Sequence, residues 1–91
     1  MRLPNNYRHS ALMVKLVDTF SADEPFLVTD AKEKGIEVPH GAMMYLRFVG
    51  LLRKVEKRRI RNRHGGNRLS IVYSIPRSVH EYITKRRDSF V

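Results

Sequence analysis

Two adjacent glycines, Gly65 and Gly66, separate the run LLRKVEKRRIRNR (51–63) from NRLSIVYSIP (67–76). Glycine reaches turn conformations closed to other residues, so a glycine pair between extended runs predicts an antiparallel hairpin. The second run alternates, with Leu69, Ile71, Tyr73 and Ile75 on one face and Ser70, Val72 and Ser74 on the other. A two-residue loop at Gly65-Gly66, or a symmetric loop from His64 to Asn67, places Ile60 opposite Ile71, Arg58 opposite Tyr73 and Asn62 opposite Leu69. Lys57, Arg59, Arg61 and Arg63 then share the second face with Ser74, Val72, Ser70 and Arg68. The expected hairpin has a largely apolar inner face and an outer face bearing five cations.

In that register Arg63 opposes Arg68, a like-charge pair that costs a few tenths of a kcal/mol. A phosphate would relieve it, and side-chain-free Gly65 and Gly66 would let the tip approach a nucleic-acid backbone closely. The competing reading is that arginine keeps an exposed edge strand soluble.

Upstream the pattern is helical. Leu12, Leu16 and Phe20 lie four apart with Met13 and Val17 beside them, while Lys15 and Asp18 fall off the stripe. This predicts an amphipathic helix from a Ser10 cap to about Phe20. SADEPFLVTDAKEKGI follows, and Pro25 suits a first helical turn, giving a second helix from about Pro25 to Lys34 with Gly35 as its left-handed cap. Alternatively Phe26 to Val28 form a short strand and Thr29 is the cap. A third helix spans about Pro39 to Val49 and ends at Gly50. Ser78-Val79-His80-Glu81 reads as a capping box leading into a last helix over about 78–88, with Val79, Tyr82 and Ile83 on its apolar face. His80 is read as a surface residue.

Ala31 and Gly35, four apart before the third helix, with Ile36, Met43 and Leu46 after them and YLRFVGLLRKV (45–55) leading into the first strand, resemble a winged helix-turn-helix domain. The resemblance covers roughly residues 10–76. It implies an α+β fold of three helices followed by a two-stranded β-hairpin wing and a C-terminal helix, forming a single domain over 1–91. It also implies core roles for Ile36, Met43 and Leu46, a wing that lies along DNA and a third helix that reads it. The expected wing contacts are Lys57, Arg59, Arg61, Arg63, Gly65, Gly66 and Arg68.

With Met43, Leu46 and Gly50 turned inward, a 100° step leaves His40, Gly41, Met44, Arg47 and Phe48 outward and Tyr45 at the edge. His40, Arg47 and Tyr45 offer hydrogen bonds to base edges, and Met44 and Phe48 could meet thymine methyls. A helix apolar nearly all round is more often buried, so Met44 and Phe48 either face DNA or pack on a partner chain or the last helix.

Charge and composition narrow the function. The 91 residues carry a net charge of +9: residues 1–46 hold five Lys/Arg against six Asp/Glu, 47–68 hold nine against one, and 69–91 hold four against two. A concentrated basic segment is the electrostatic footprint of phosphate binding. The absence of cysteine removes disulfides, thiolate metal sites and cysteine nucleophiles. The four histidines form no helical ligand pair, and no nucleophile with a base, paired carboxylates or phosphate loop is legible, so no catalytic residue, metal or cofactor is assigned. The apolar run near the start is short, carries Lys15 and has no small-residue cleavage site behind it; the next longest uncharged stretch, 38–46, is far below a membrane span. These features predict a cytoplasmic, non-enzymatic protein that binds double-stranded DNA, as a transcription regulator or another DNA-transaction factor. The alternative is an adaptor in a larger assembly that binds RNA through the hairpin and protein through helix 3, with a homodimer or other protein partner.

Overall fold

A computed structural model of the chain describes residues 7–61 and 65–86, and at 7, 8, 67 and 68 it describes the backbone alone. The described residues form an α+β arrangement of four helices and one two-stranded antiparallel hairpin: α1 (Tyr7–Thr19), α2 (Val28–Glu33), α3 (Ala42–Phe48), β1 (Arg53–Arg61), β2 (Asn67–Ser74) and α4 (Arg77–Lys85).

The stripe on α1 is buried as its spacing requires, Leu16 completely, while Lys15 and Asp18 are exposed. The helix begins at Tyr7, so Ser10 lies inside it and is not its cap. Beyond Thr19 the chain turns through Asp23 (φ 62°), a residue type that tolerates the left-handed region. The N–H of Asp23 donates to Ile75 O at 2.9 Å.

The next segment is extended. Phe26 and Tyr73 exchange both backbone hydrogen bonds at 2.8 Å, and the Phe26 ring stacks on Phe20 with centroids 4.2 Å apart. Helix α2 therefore starts at Val28 and not at Pro25. Extended backbone at Phe26 buries its ring in the core and pairs both its polar backbone groups. Leu27, and not Thr29, is the N-cap residue, and its N–H donates to Asp30 Oδ2 at 2.9 Å. A carboxylate in that first turn also suits the helix dipole.

Helices α2 and α3 end in the same way. Ile36 N–H donates to Ala31 O and Gly35 N–H to Lys32 O; Leu51 N–H donates to Leu46 O and Gly50 N–H to Arg47 O. Each is a Schellman closure with glycine in the left-handed position, φ 82° at Gly35 and 89° at Gly50. Both closures are sealed by buried apolar pairs, Ala31 with Ile36 and Leu46 with Leu51. Gly50 is exposed, against the expectation that it turns inward. At its other end α3 begins at Ala42 and not Pro39, because Pro39 to Ala42 form a turn that needs positive φ at Gly41 (77°).

The hairpin register departs from the sequence expectation by three residues. Arg58 pairs with Ser70, Arg59 with Leu69, Ile60 with Arg68 and Arg61 with Asn67; a bulge between Lys54 and Glu56 then brings Lys54 opposite Tyr73. Ile60 does not face Ile71 and Arg58 does not face Tyr73; the partner of Arg68 is Ile60, and Arg63, its expected partner, lies outside the described residues. The reason lies at the foot of the hairpin. Leu51 and Leu52 both bond Leu46 O and are buried, while Tyr73 is bound to Phe26. These anchors fix Lys54 across from Tyr73, and the described pairing runs outward from there to Arg61 and Asn67.

Alternation along β2 also gives way to depth. Val72, Tyr73, Ser74 and Ile75 are all buried, although Val72 and Ser74 were expected to face outward, and Leu69, expected inward, is 63% exposed. The strand enters the body of the protein at its C-terminal end and leaves it toward the loop.

Helix α4 starts at Arg77 after Pro76, and Ser78 makes no side-chain cap, so the expected capping box is not formed. Val79 and Ile83 are buried, Tyr82 is half-buried and lies under the Arg86 guanidinium at 4.2 Å, and α4 packs on α1. His80 is not a free surface residue. Its Nε2 lies 3.1 Å from Val17 O and 3.0 Å from Phe20 O. Both partners are carbonyls, so Nε2 carries the proton and donates, tying α4 to the last turn of α1. Residues 87 and 88, expected in the last helix, lie outside the described residues.

Candidate nucleic-acid interface

Strand β1, RKVEKRRIR, carries six cations and one carboxylate in nine residues, and every residue except Ile60 is exposed. Its position follows from the closure of α3: Gly50 turns the chain, Leu51 and Leu52 anchor it, and the strand then runs outward with little of its own to bury. Glu56 engages Arg58, accepting from Nη2 at 2.9 Å and Nε at 3.2 Å. Among the described residues, the other cations of β1 have no carboxylate within ion-pairing distance. Five uncompensated charges on one strand repel each other and raise the local potential, which an anionic ligand lowers.

Antiparallel partners share a face of the ladder. Lys57 opposite Ile71, Arg59 opposite Leu69 and Arg61 opposite Asn67 therefore lie on one face with Leu69 and Ile71. Arg58, Ile60 and the backbone position of Arg68 fall on the other face with Ser70 and Val72. The expected separation of an apolar face from a cationic one is overturned: the register merges them. Lys57, Arg59 and Arg61 remain together and exposed, Gly65 (φ 82°) and Gly66 are exposed at the loop, and Arg63 and the Arg68 side chain lie outside what is described.

On α3, Ala42, Met43 and Leu46 are buried, whereas Met44 is 65% and Phe48 88% exposed. Arg47 is exposed as well, and His40 and Gly41 are exposed in the turn before the helix. Tyr45 is occupied on one side by His9 of α1, whose ring stacks on it at 4.6 Å. Burial pushes the Tyr73 phenol above its usual range, and the positive charge of Arg47 acts in the opposite sense, which puts the Arg47 guanidinium within electrostatic reach of the foot of β2.

No family model matches the chain, and no curated protein or solved structure matches it either.

Sequence reading missed two contributors. Lys32 of α2 lines both clefts that separate α2 from β2 and from the start of α3. Lys54 stands opposite Tyr73 at the foot of the hairpin. A bulge placed Lys54 there, and a lysine in the last turn of a helix carries no local signal that it borders a cleft. Among the described residues no group of three His, Asp or Glu is arranged to hold a metal ion, and no helix is long and apolar enough to cross a membrane.

Proposed function

We propose that this chain is a DNA-binding protein of winged helix-turn-helix type, serving transcription control or another DNA transaction, in which the β1–β2 hairpin is the wing and α3 lies beside it on the nucleic acid. The observation that carries this reading is β1 itself, an exposed strand whose cations, Arg58 apart, have no acidic partner among the described residues. The order of elements supports it too, with α2 closing at Gly35, α3 following it and the hairpin following α3 directly. Lys57, Arg59 and Arg61 act on phosphates, and Arg47 and His40 are the polar groups of α3 and its entry that reach bases or backbone. The chain works by binding and not by catalysis.

The test is a salt titration on duplex DNA. If about four to five cations meet phosphates, log affinity falls with log salt at a slope of about −4 to −5, and Arg61→Glu weakens binding and makes the slope shallower by about one. A slope near zero, or unchanged binding by Arg61→Glu, removes the hairpin from the site.

A second reading is favoured by Phe48 and Met44, whose exposure on a seven-residue helix is large for apolar side chains. Under it α3 contacts a protein partner and the hairpin holds RNA. Structured RNA outcompeting duplex DNA would select this reading.

A further inference from the structure

The merging of cations with apolar groups on one hairpin face bears on which form of nucleic acid fits. A strand that only follows duplex phosphates gains from cations and has no use for exposed leucine on the same face. Here Leu69 is 63% exposed, Ile71 is half-buried beside it, and Arg59 and Lys57 stand directly opposite them. Next to this face lie two clefts of about 350 and 370 Å³. The first borders Leu69 and Ile71, the second borders Met43 and Met44, and both are lined by Val28, Lys32 and Tyr73. Through that shared lining they adjoin as one groove from the outer part of β2 to the entry of α3, with a largely apolar floor and Lys32 in its wall, while Lys57 and Arg59 stand across β2 on the same face of the hairpin.

A peptide laid there would have to satisfy a backbone N–H and C=O at every residue, and besides Lys32 the lining offers only the side chains of Thr29, Ser70, Tyr73 and His40 for that purpose. Unpaired nucleotides have the matching pattern. Each carries a flat, weakly polar face that stacks on apolar or guanidinium surfaces and a phosphate that meets a cation, while its polar edges stay in water.

We infer that the groove between β2, α2 and the start of α3 takes unpaired nucleotides of DNA, with bases over Leu69, Ile71 and Met44 and phosphates on Lys57, Arg59 and Lys32. The ligand held best is then a single strand, or a duplex with a single-stranded extension, in preference to a blunt duplex. This rests on the nucleic-acid reading above and specifies the form of its ligand.

The chain has no tryptophan, so Leu69→Trp at an exposed position creates a single fluorescent reporter in the groove. Glu81→Trp, exposed on α4, serves as the reporter away from it. The probes are oligothymidylate of about 20 nucleotides, a blunt duplex of the same length and polyglutamate. Expected are quenching of Leu69→Trp but not Glu81→Trp by the single strand, binding of the single strand about tenfold tighter than the duplex, and a loss of about fivefold or more in single-strand affinity for Leu69→Ser with its circular dichroism intact. Equal or tighter binding of the blunt duplex would overturn this inference and leave the DNA-binding reading standing. Binding of neither nucleic acid would overturn both. Quenching by polyglutamate without quenching by the single strand would assign the groove to an acidic peptide and overturn it as well.

Discussion

The pairing of Arg59 with Leu69 decides which face of the hairpin carries both its cations and its exposed leucine, and a cross-link reads it directly. The chain contains no cysteine, so any introduced pair reports without background. Directly opposed residues of an antiparallel pair have Cα atoms about 4.5–5.5 Å apart, within the roughly 4.4–6.8 Å that a disulfide spans. Arg59→Cys with Leu69→Cys should therefore oxidise readily. Ile60 faces Arg68, three residues short of Ile71, an offset of about 10 Å along the strand. Ile60→Cys with Ile71→Cys lies beyond the roughly 7 Å at which a bridge demands backbone movement. Mild oxidation of the dilute monomer, followed by thiol titration and intact-mass measurement, should close the first pair and leave the second as free thiols. The closed loop is short, and its bridge should stabilise the hairpin by at most about 3 kcal/mol. Rapid closure of the Ile60/Ile71 pair with the Arg59/Leu69 pair left open would refute the register. Arg59 and Lys57 would then lie on the face away from Leu69, and the groove would keep Lys32 alone.

Three further outcomes follow from the fold. His80→Ala removes the donor shared by Val17 O and Phe20 O and should cost about 1–2 kcal/mol, seen as a fall in melting temperature of roughly 4–8 °C per kcal/mol; a change within error would mean that α4 is held on α1 by Val79 and Ile83 alone. Gly50→Ala meets nothing within 4 Å, so its cost is the backbone strain of φ 89° alone, about 1–2 kcal/mol by chemical denaturation, with Gly50→Asn costing less. Tyr73 should make the fold alkali-sensitive. In the unfolded chain its phenol ionises near pH 10, in the native state only higher, so between those values the unfolded chain binds fewer protons and stability falls as pH rises. Tyr73→Phe should show a shallower loss of stability above about pH 10, and an unaltered slope would place the phenol in water.

Much of this architecture is legible in local sequence because local physics sets it. The stripe on α1 follows from 3.6-residue periodicity, and Gly35 and Gly50 stand where helices close through a left-handed residue. The division of α3 into buried Met43 and Leu46 and exposed Met44, Arg47 and Phe48 is the same arithmetic applied to a short helix. The concentration of charge between 47 and 68 belongs to the sequence alone.

Other features depend on partners distant in the chain, and no window of sequence contains them. Phe26 is extended because Tyr73 offers a strand edge and Phe20 a ring to stack on, which outweighs the helical entry suggested by Pro25. His80 is bound because α4 crosses the end of α1, 63 residues away from Val17. Lys32 becomes a groove residue when α2 meets β2.

The hairpin shows where the boundary falls. Its existence, its place after α3 and its excess of arginine could be read from residues 51–76, since turn chemistry and strand propensity are local. Its register could not, because the foot of each strand is tied elsewhere, β1 through Leu51 and Leu52 to the end of α3 and β2 through Tyr73 to Phe26. Since side chains alternate with a period of two, a shift of three residues exchanges faces. The amino-acid sequence by itself determined that a basic hairpin would form, and tertiary anchoring decided that Arg59 and Lys57 would stand beside Leu69 and Ile71.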